Sequence, residues 1–342
     1  MNSIRNLLLK QYPELKLNQS YPEFLSHFIL ILLAIGFFSL LGIKETSFSV
    51  AFLLRSIFLG LLYGSLGLLT HELLHGSVIK ISLFARILAW FGFFIFGLSP
   101  ELWLTWHNKV HHFNTNQSGK DPDSFGLWDD FKTFPMTQFI LNRSPGSKHF
   151  LSYVYLPLNF SNQVMTVMWF MLWRGDQKLY ASVHRKVAVT ETLLMYCVWI
   201  LFFVLFGWKS AVMTLVIPSL IANLIVSSYI LVQHLFCPLA ESDDPLETSL
   251  SVSTLSVLDR IHFNFSHHVE HHLFPELGHK QLPRVREILL REFPGRYRFM
   301  SHRAAIYQLM TTPRVYQNLH ALFDPKTGKT VDVASVGRLQ EG

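Results

Sequence analysis

Apolar residues fall in long blocks along this chain rather than in alternating or short amphipathic repeats. Four blocks are long enough, or nearly so, to cross a bilayer: residues 24–43, 48–70, 193–207 and 211–232. The second contains Arg55, and the third is short. The links at 44–47 and 208–210 are tight, so each pair of blocks is expected to form an antiparallel helical hairpin. Two further apolar stretches, 83–99 and 150–173, are ambiguous, the latter being interrupted by Asn159, Ser161, Asn162 and Gln163.

Between the blocks lie three histidine clusters. They are His71-Glu-Leu-Leu-His75, His107-Asn-Lys-Val-His111-His112 and His268-Val-Glu-His271-His272. At helical pitch, residues three and four apart share a face, so the histidines within each cluster can reach a common point. Imidazole suits iron, zinc and copper while staying neutral near pH 7. Eight histidines in this arrangement predict two metals. His27, His149, His184, His302 and His320 are isolated and read as ordinary surface or core residues.

If the three clusters meet at one centre, every connection between them must cross the membrane an even number of times. Residues 83–99 then lie at the interface or re-enter, and 150–173 is interfacial as well. The predicted fold is all-α and integral to the membrane: four transmembrane helices with a cytoplasmic helical cap holding a histidine-rich di-metal site. Residues 1–23 form an N-terminal cytoplasmic or interfacial segment, 24–322 the membrane domain, and 323–342 a polar, loosely ordered tail.

Charge sets the expected orientation. Lys109, Lys120, Lys132, Arg143, Lys148, Arg174, Lys178, Arg185 and Lys186 crowd the stretch from His107 to Glu191, whereas the opposite hairpin tips offer only Lys44 and Lys209. The positive-inside rule places the clusters and both termini in the cytoplasm. A net charge of +6 is explained by anionic headgroups, and no basic stretch has a nucleic-acid-binding signature.

Composition agrees with a multi-pass membrane protein: half the residues are apolar and 15% are charged. The N-terminal residues lack the layout of a cleaved signal peptide. Cys197 lies in a block and Cys237 on the expected cytoplasmic side, so a disulfide is not expected and Cys237 reads as a free thiol.

The three clusters resemble the histidine boxes of the membrane fatty acid desaturases and the related hydroxylases and ketolases. The resemblance rests on their order and on the run His267-His268-Val269-Glu270-His271-His272-Leu273-Phe274-Pro275. Trp106 to Asn108 and His112-Phe113-Asn114-Thr115-Asn116, followed by Asp121-Pro122-Asp123, are similar to the acyl-lipid branch. It covers roughly residues 61–294. The resemblance implies two iron ions (Fe2+/Fe3+) ligated by His71, His75, His107, His111, His112, His268, His271 and His272, with O2 as co-substrate. It further implies a ligand just after the fourth span, where His234 stands. Part of the family carries an asparagine one turn earlier; here that position is Ile230, which leaves Gln233 or water as alternatives for the last coordination position. Glu72, Asn108, Asn114, Asp121, Asp123, Glu270 and Asp259 are candidates to orient the rings. His262 and His267 are expected to be neighbours.

The implied activity is an oxygen-dependent fatty acyl desaturase acting on a membrane-lipid or acyl-carrier-linked chain, the alternative being a hydroxylase or ketolase. His71-Glu72-Leu73-Leu74-His75 also fits the zinc-protease pattern H-E-x-x-H, but a protease leaves six boxed histidines unexplained. A non-enzymatic metal-binding protein explains the histidines and not the apolar blocks. No His-Pro-Gly-Gly haem motif is present, so electrons are expected from a separate ferredoxin, or from cytochrome b5 with its reductase. Trp103, Trp106, Trp169 and Trp173 suit an interfacial belt. Residues 280–293 read as an amphipathic helix whose Arg284, Arg286 and Arg291 face headgroups.

Overall fold

The computed structural model describes residues 2–15, 17, 22–43, 48–124, 126–133, 135–173, 178–240, 244–334 and 336–337. The 44–47 link and Arg174 lie outside the described residues. The principal helices are α1 (Asn2–Gln11), α2 (Pro22–Ile43), α3 (Val50–His75), α4 (Leu83–Phe93), α5 (Pro100–Thr105), α6 (Ser152–Trp173), α7 (Arg185–Ala211), α8 (Ile217–Leu235), α9 (His268–Leu273), α10 (Leu282–Glu292) and α11 (His302–Thr311).

Helix is the dominant structure, as the block pattern implies, but the chain is not all-α. A two-stranded parallel sheet pairs β1 (Ser251–Ser253) with β2 (Phe299–Ser301). A three-stranded antiparallel sheet joins β3 (Val315–Asn318), β4 (Ala321–Phe323) and β5 (Thr330–Asp332). The tail beyond residue 323 is therefore partly ordered. The fully buried Arg298 donates to the carbonyls of Val333 and Val336 at 2.9 and 2.8 Å, and strand pairing holds β5 on β4.

Among the described residues, three helical runs are long and apolar enough to cross a membrane: Glu23–Ile43, Val50–His75 and Arg185–Leu235. The last has 51 residues and would extend roughly 76 Å if straight, more than twice the apolar thickness of a bilayer. It is broken at Gly207, whose φ of 78° and ψ of 167° are non-helical and open to glycine at little cost. Leu83–Phe96 and Pro100–Asn114 form a pair bent by 102°, the signature of a broken span or a re-entrant loop.

The chain divides into two compact units, residues 18–106 with 157–227, and residues 1–17 with 107–156 and 228–342. In the first, α2, α3 and α7 turn Leu30, Leu33, Leu40, Leu54 and Val204 outward, as lipid-facing helices do. Glycines let α3 approach the start of α8 closely: a Cβ at Gly60 would stand 2.4 Å from Ile221, and one at Gly64 2.7 Å from Ile225.

That unit also holds a partly buried charge network. Glu191 on α7 accepts from Ser99 Oγ at 2.5 Å and from the Glu101 backbone at 3.0 Å, so it caps α5. Arg86 on α4 bonds Glu101 at 2.7 Å and Glu191 at 3.5 Å. This network fixes the helix that leads into the second box.

In the second unit, Leu8 and Leu15 from the N-terminal segment enter a core with Val269, Leu273 and Phe274 of the third box and with Leu282, Val285, Ile288 and Leu289 of α10. The apolar face of α10 is therefore protein core, and its arginines are paired with carboxylates while Arg284 and Arg291 stay exposed. Arg286 bonds Glu270 at 3.0 Å, Arg284 bonds Glu287 and Glu14 at 2.9 and 3.4 Å, and Arg291 bonds Glu292 at 2.9 Å.

Candidate metal centre

The first box occupies the last turns of α3, before Gly76. Four residues of α-helix bring Nε2 of His71 and Nε2 of His75 within 3.4 Å. Trp103 presents its ring to both imidazoles, with centroids 5.4 and 5.1 Å away. Trp103 and Trp106 are buried, so they support ligand rings and core rather than an interfacial belt, while Trp169 is 60% exposed. The side chain of Trp173 is outside the described residues. Glu72 is buried and accepts from Ser77 Oγ at 3.0 Å. Its carboxylate braces the turn after the helix, which is not the posture of a solvent-activating base.

The second box departs from α-helical pitch. Trp106–His111 is a π-helical turn. Its wider spacing puts residues five apart on one face, and Nε2 of His107 and His112 are 3.2 Å apart. The third box is α9, where His268 and His272 align at α-helical spacing with Nε2 atoms 3.1 Å apart.

These elements converge in the second unit. His111, His234, His268 and His272 are all buried, and each offers a ring nitrogen within 4.8 Å of the others. Nε2 of His234 lies 2.7 Å from Nε2 of His268. His112 stacks on His272 with centroids 4.3 Å apart and lies 5.1 Å from His271. His107, His111 and Asp123 form a further group with ligand atoms close enough to hold an ion.

The outer nitrogens decide whether a cation fits. Nδ1 of His234 is 3.1 Å from the Thr248 carbonyl, which can only accept, so Nδ1 carries the hydrogen. Nδ1 of His111 is 2.9 Å from Asp121 Oδ1, with the same consequence. Thr115 spends its hydroxyl hydrogen on the His111 carbonyl, so its oxygen accepts from Nδ1 of His272 at 3.3 Å. Three of the four rings thus aim Nε2 lone pairs inward. Converging lone pairs repel one another unless a positive charge sits among them, which is what an imidazole metal site requires.

Electrostatics around the rings is divided. Burial, followed by neighbouring His112, His268, His234 and His111, holds the His272 pKa well below its ordinary value. Burial also opposes charge on His111, but Asp121 and Asp123 prevail and raise it to about 9.

Asn116, which the sequence reading left unassigned, ties the site together. Its backbone N–H donates to Asp121 Oδ2 at 2.7 Å, and its side-chain amide donates to the carbonyls of His234 at 3.0 Å and Pro238 at 3.3 Å. Tyr316 on β3 donates to the carbonyls of Leu235 and Cys237 at 2.7 and 2.6 Å, closing the end of α8.

The remaining candidates have other tasks. Gln233 donates to the Phe265 carbonyl at 2.9 Å, and Cys237 is a buried free thiol pushed up to about 11 by burial. Asn114 bonds the Val110 carbonyl, Asp259 accepts from Thr254 and Ser266, and Asn108 lies within the π turn. Nδ1 of His267 meets Ser266 Oγ at 3.0 Å. Glu270 sits inside the third box yet turns away from the rings. It accepts from Ser251 at 2.5 Å, Tyr297 at 2.6 Å and Arg286 at 3.0 Å. Burial opposes its ionisation, but Arg286, His267 and these hydroxyls hold its pKa below the usual carboxylate value.

Residues 47–304 match the family described as fatty acid desaturase, which is most of the chain. A curated relative, the acyl-lipid 8-desaturase of Rebecca salina, is 29% identical over 141 residues. That alignment covers 38% of this chain and 29% of the relative.

Proposed function

The chain belongs to the fatty acid desaturase family, and from that premise we propose that it is an oxygen-dependent membrane enzyme that places a double bond in an acyl chain. The observation that carries the reading is the buried imidazole quartet, three of whose rings turn a lone pair inward. The proposed ligand set is His71, His75, His107, His111, His112, His234, His268, His271 and His272, shared between two irons. Iron bound there would supply the dioxygen chemistry needed to remove hydrogens from unactivated methylenes, which no amino-acid side chain can do.

The protein's own residues do the positioning. Asp121, Thr115 and the Thr248 carbonyl fix the tautomers of His111, His272 and His234, so each presents a neutral nitrogen. No side chain is assigned as general base. The apolar helices supply a lipid-facing body, and four crossings with the boxes and termini in the cytoplasm match the charge distribution. The proposed substrate is a lipid-linked or carrier-linked fatty acyl chain, in keeping with the acyl-lipid substrate class in the relative's name. Electrons are proposed to come from a separate ferredoxin or cytochrome b5 system.

The test is expression in a host without desaturases, with lipid analysis and metal content measured together. New double bonds and about two irons per chain are expected. Hydroxylated or keto products would instead assign the related oxygen-transfer chemistry, and zinc with peptide cleavage would refute the proposal.

A further inference from the structure

One group of ionisable rings in the second unit lies outside the ligand set. Tyr229 sits on α8, 1% exposed, five residues before His234. Its hydroxyl is 2.9 Å from Nδ1 of His262; with hydrogen on the other ring nitrogen, the phenol donates. The phenol face stacks on His302, with centroids 4.6 Å apart and planes within 9°. Nε2 of His302 is fixed by the Ser228 carbonyl at 3.0 Å. On its other side Tyr229 meets Phe265 edge-on at 5.7 Å, and Phe265 meets His268 at 5.9 Å. A single aromatic ring therefore separates this phenol from a proposed iron ligand.

The imidazole beside the phenol is neutral and placed to accept its proton. Burial and then His302 depress the His262 pKa to about 4, with Asp259 pulling part of the way back, so the ring is neutral at physiological pH. Asp259 is itself anchored by Thr254 at 2.7 Å and Ser266 at 2.6 Å, and its charge favours the imidazolium once formed. Packing alone would be served by phenylalanine at 229, with no buried hydroxyl to satisfy.

We propose that Tyr229 and His262 form a redox-active phenol–imidazole pair that delivers an electron to the oxidised metal centre through Phe265 and His268 when no acyl chain is in place to react. The step balances as follows. The phenolic O–H bond breaks, its proton forms an N–H bond at Nδ1 of His262, and its electron reduces the metal centre by one. A neutral phenoxyl radical and an imidazolium remain. A one-electron donor of the class that supports turnover then restores the phenol, and the proton returns from His262. The pair thus diverts an oxidising equivalent that would otherwise attack ligand rings. The inference rests on the proposed iron site.

The experiment uses the full chain, loaded with iron in detergent, reduced, and mixed with dioxygen without acyl substrate. Freeze-quenched samples are read by electron paramagnetic resonance, and the spent protein by peptide mass spectrometry. Wild type is expected to give an organic radical whose splitting collapses when its tyrosines are ring-deuterated. Tyr229→Phe should lose that signal and gain oxygen adducts on the peptide carrying Phe265 and His268. His262→Gln keeps the phenol but removes the imidazole that accepts its proton, so its radical yield should fall at least about tenfold. If Tyr229→Phe does not fold, the glutamine variant decides, and an undiminished radical there overturns the pair. Wild type that holds iron and desaturates its substrate without any radical overturns the relay and leaves the desaturase reading intact. A chain that binds no iron overturns both.

Discussion

Nε2 of His268 in the third box lies 2.7 Å from Nε2 of His234 at the end of α8. The Nδ1–H of His234 is committed to the Thr248 carbonyl, so His234 can only offer a lone pair at that short separation. A residue outside the three boxes is thereby drawn into the same cluster as two of them. His234→Ala is expected to lower iron content and to reduce activity more than about tenfold, with the helical signal retained. Iron analysis of purified protein checks it, and unchanged iron would remove His234 from the ligand set.

Asp121 acts on the metal through His111. Its Oδ1 holds Nδ1 of that ring, and its Oδ2 receives the Asn116 backbone N–H. Asp121→Asn keeps the size but can present an amide N–H to the ring, which inverts the tautomer and turns the hydrogen toward the metal. Iron affinity, measured by competition with a chelator, should drop about 10–100-fold, the usual cost of losing such a partner. Equal affinity in the two proteins would reduce Asp121 to a loop-closing residue.

Helix pitch and hydropathy are local properties, which is why the boxes and the hydrophobic helices could be read in the sequence, whereas His234 is implied only by the family resemblance. The 107–112 pairing could not, because it depends on a π turn that an α-helical spacing rule does not anticipate. Trp103 reads as an interfacial residue by type, yet it packs on His71 and His75. The pattern of α10 does not name the partner of its apolar face, and only the tertiary contacts of Leu282 and Leu289 show that this partner is protein core. Arg86, Glu101 and Glu191 carry no local signal because their partners are up to 105 residues apart.

Glu270 holds the third box from behind, through Ser251, Tyr297 and Arg286. Removing one partner of a buried ion pair leaves the other uncompensated, so Arg286→Met should destabilise by about 3–5 kcal/mol. The double variant Glu270→Gln with Arg286→Met should recover part of that loss. Because the folded-state pKa of Glu270 is depressed, its ionisation contributes stability above the ordinary carboxylate value of about 4, and that contribution is lost as pH falls through the folded value. Glu270→Gln should therefore flatten the acid side of the thermal-stability profile. An identical acid profile in wild type and variant would contradict the assignment.

Asn116 does two jobs that substitution can separate. Its φ of 57° is left-handed, and its side chain bridges the His234 and Pro238 carbonyls. Asn116→Gly keeps the backbone conformation accessible and loses only the side-chain bonds, whereas Asn116→Ala loses both. Alanine should cost about 1–2 kcal/mol more than glycine in thermal or denaturant unfolding, the strain of a left-handed residue with a Cβ. Iron retention depends on the bond to the end of α8, so both variants should release iron faster than wild type and at similar rates. Rates that instead followed the stability difference would mean that Asn116 serves the loop alone and that the orientation of His234 is set by Thr248.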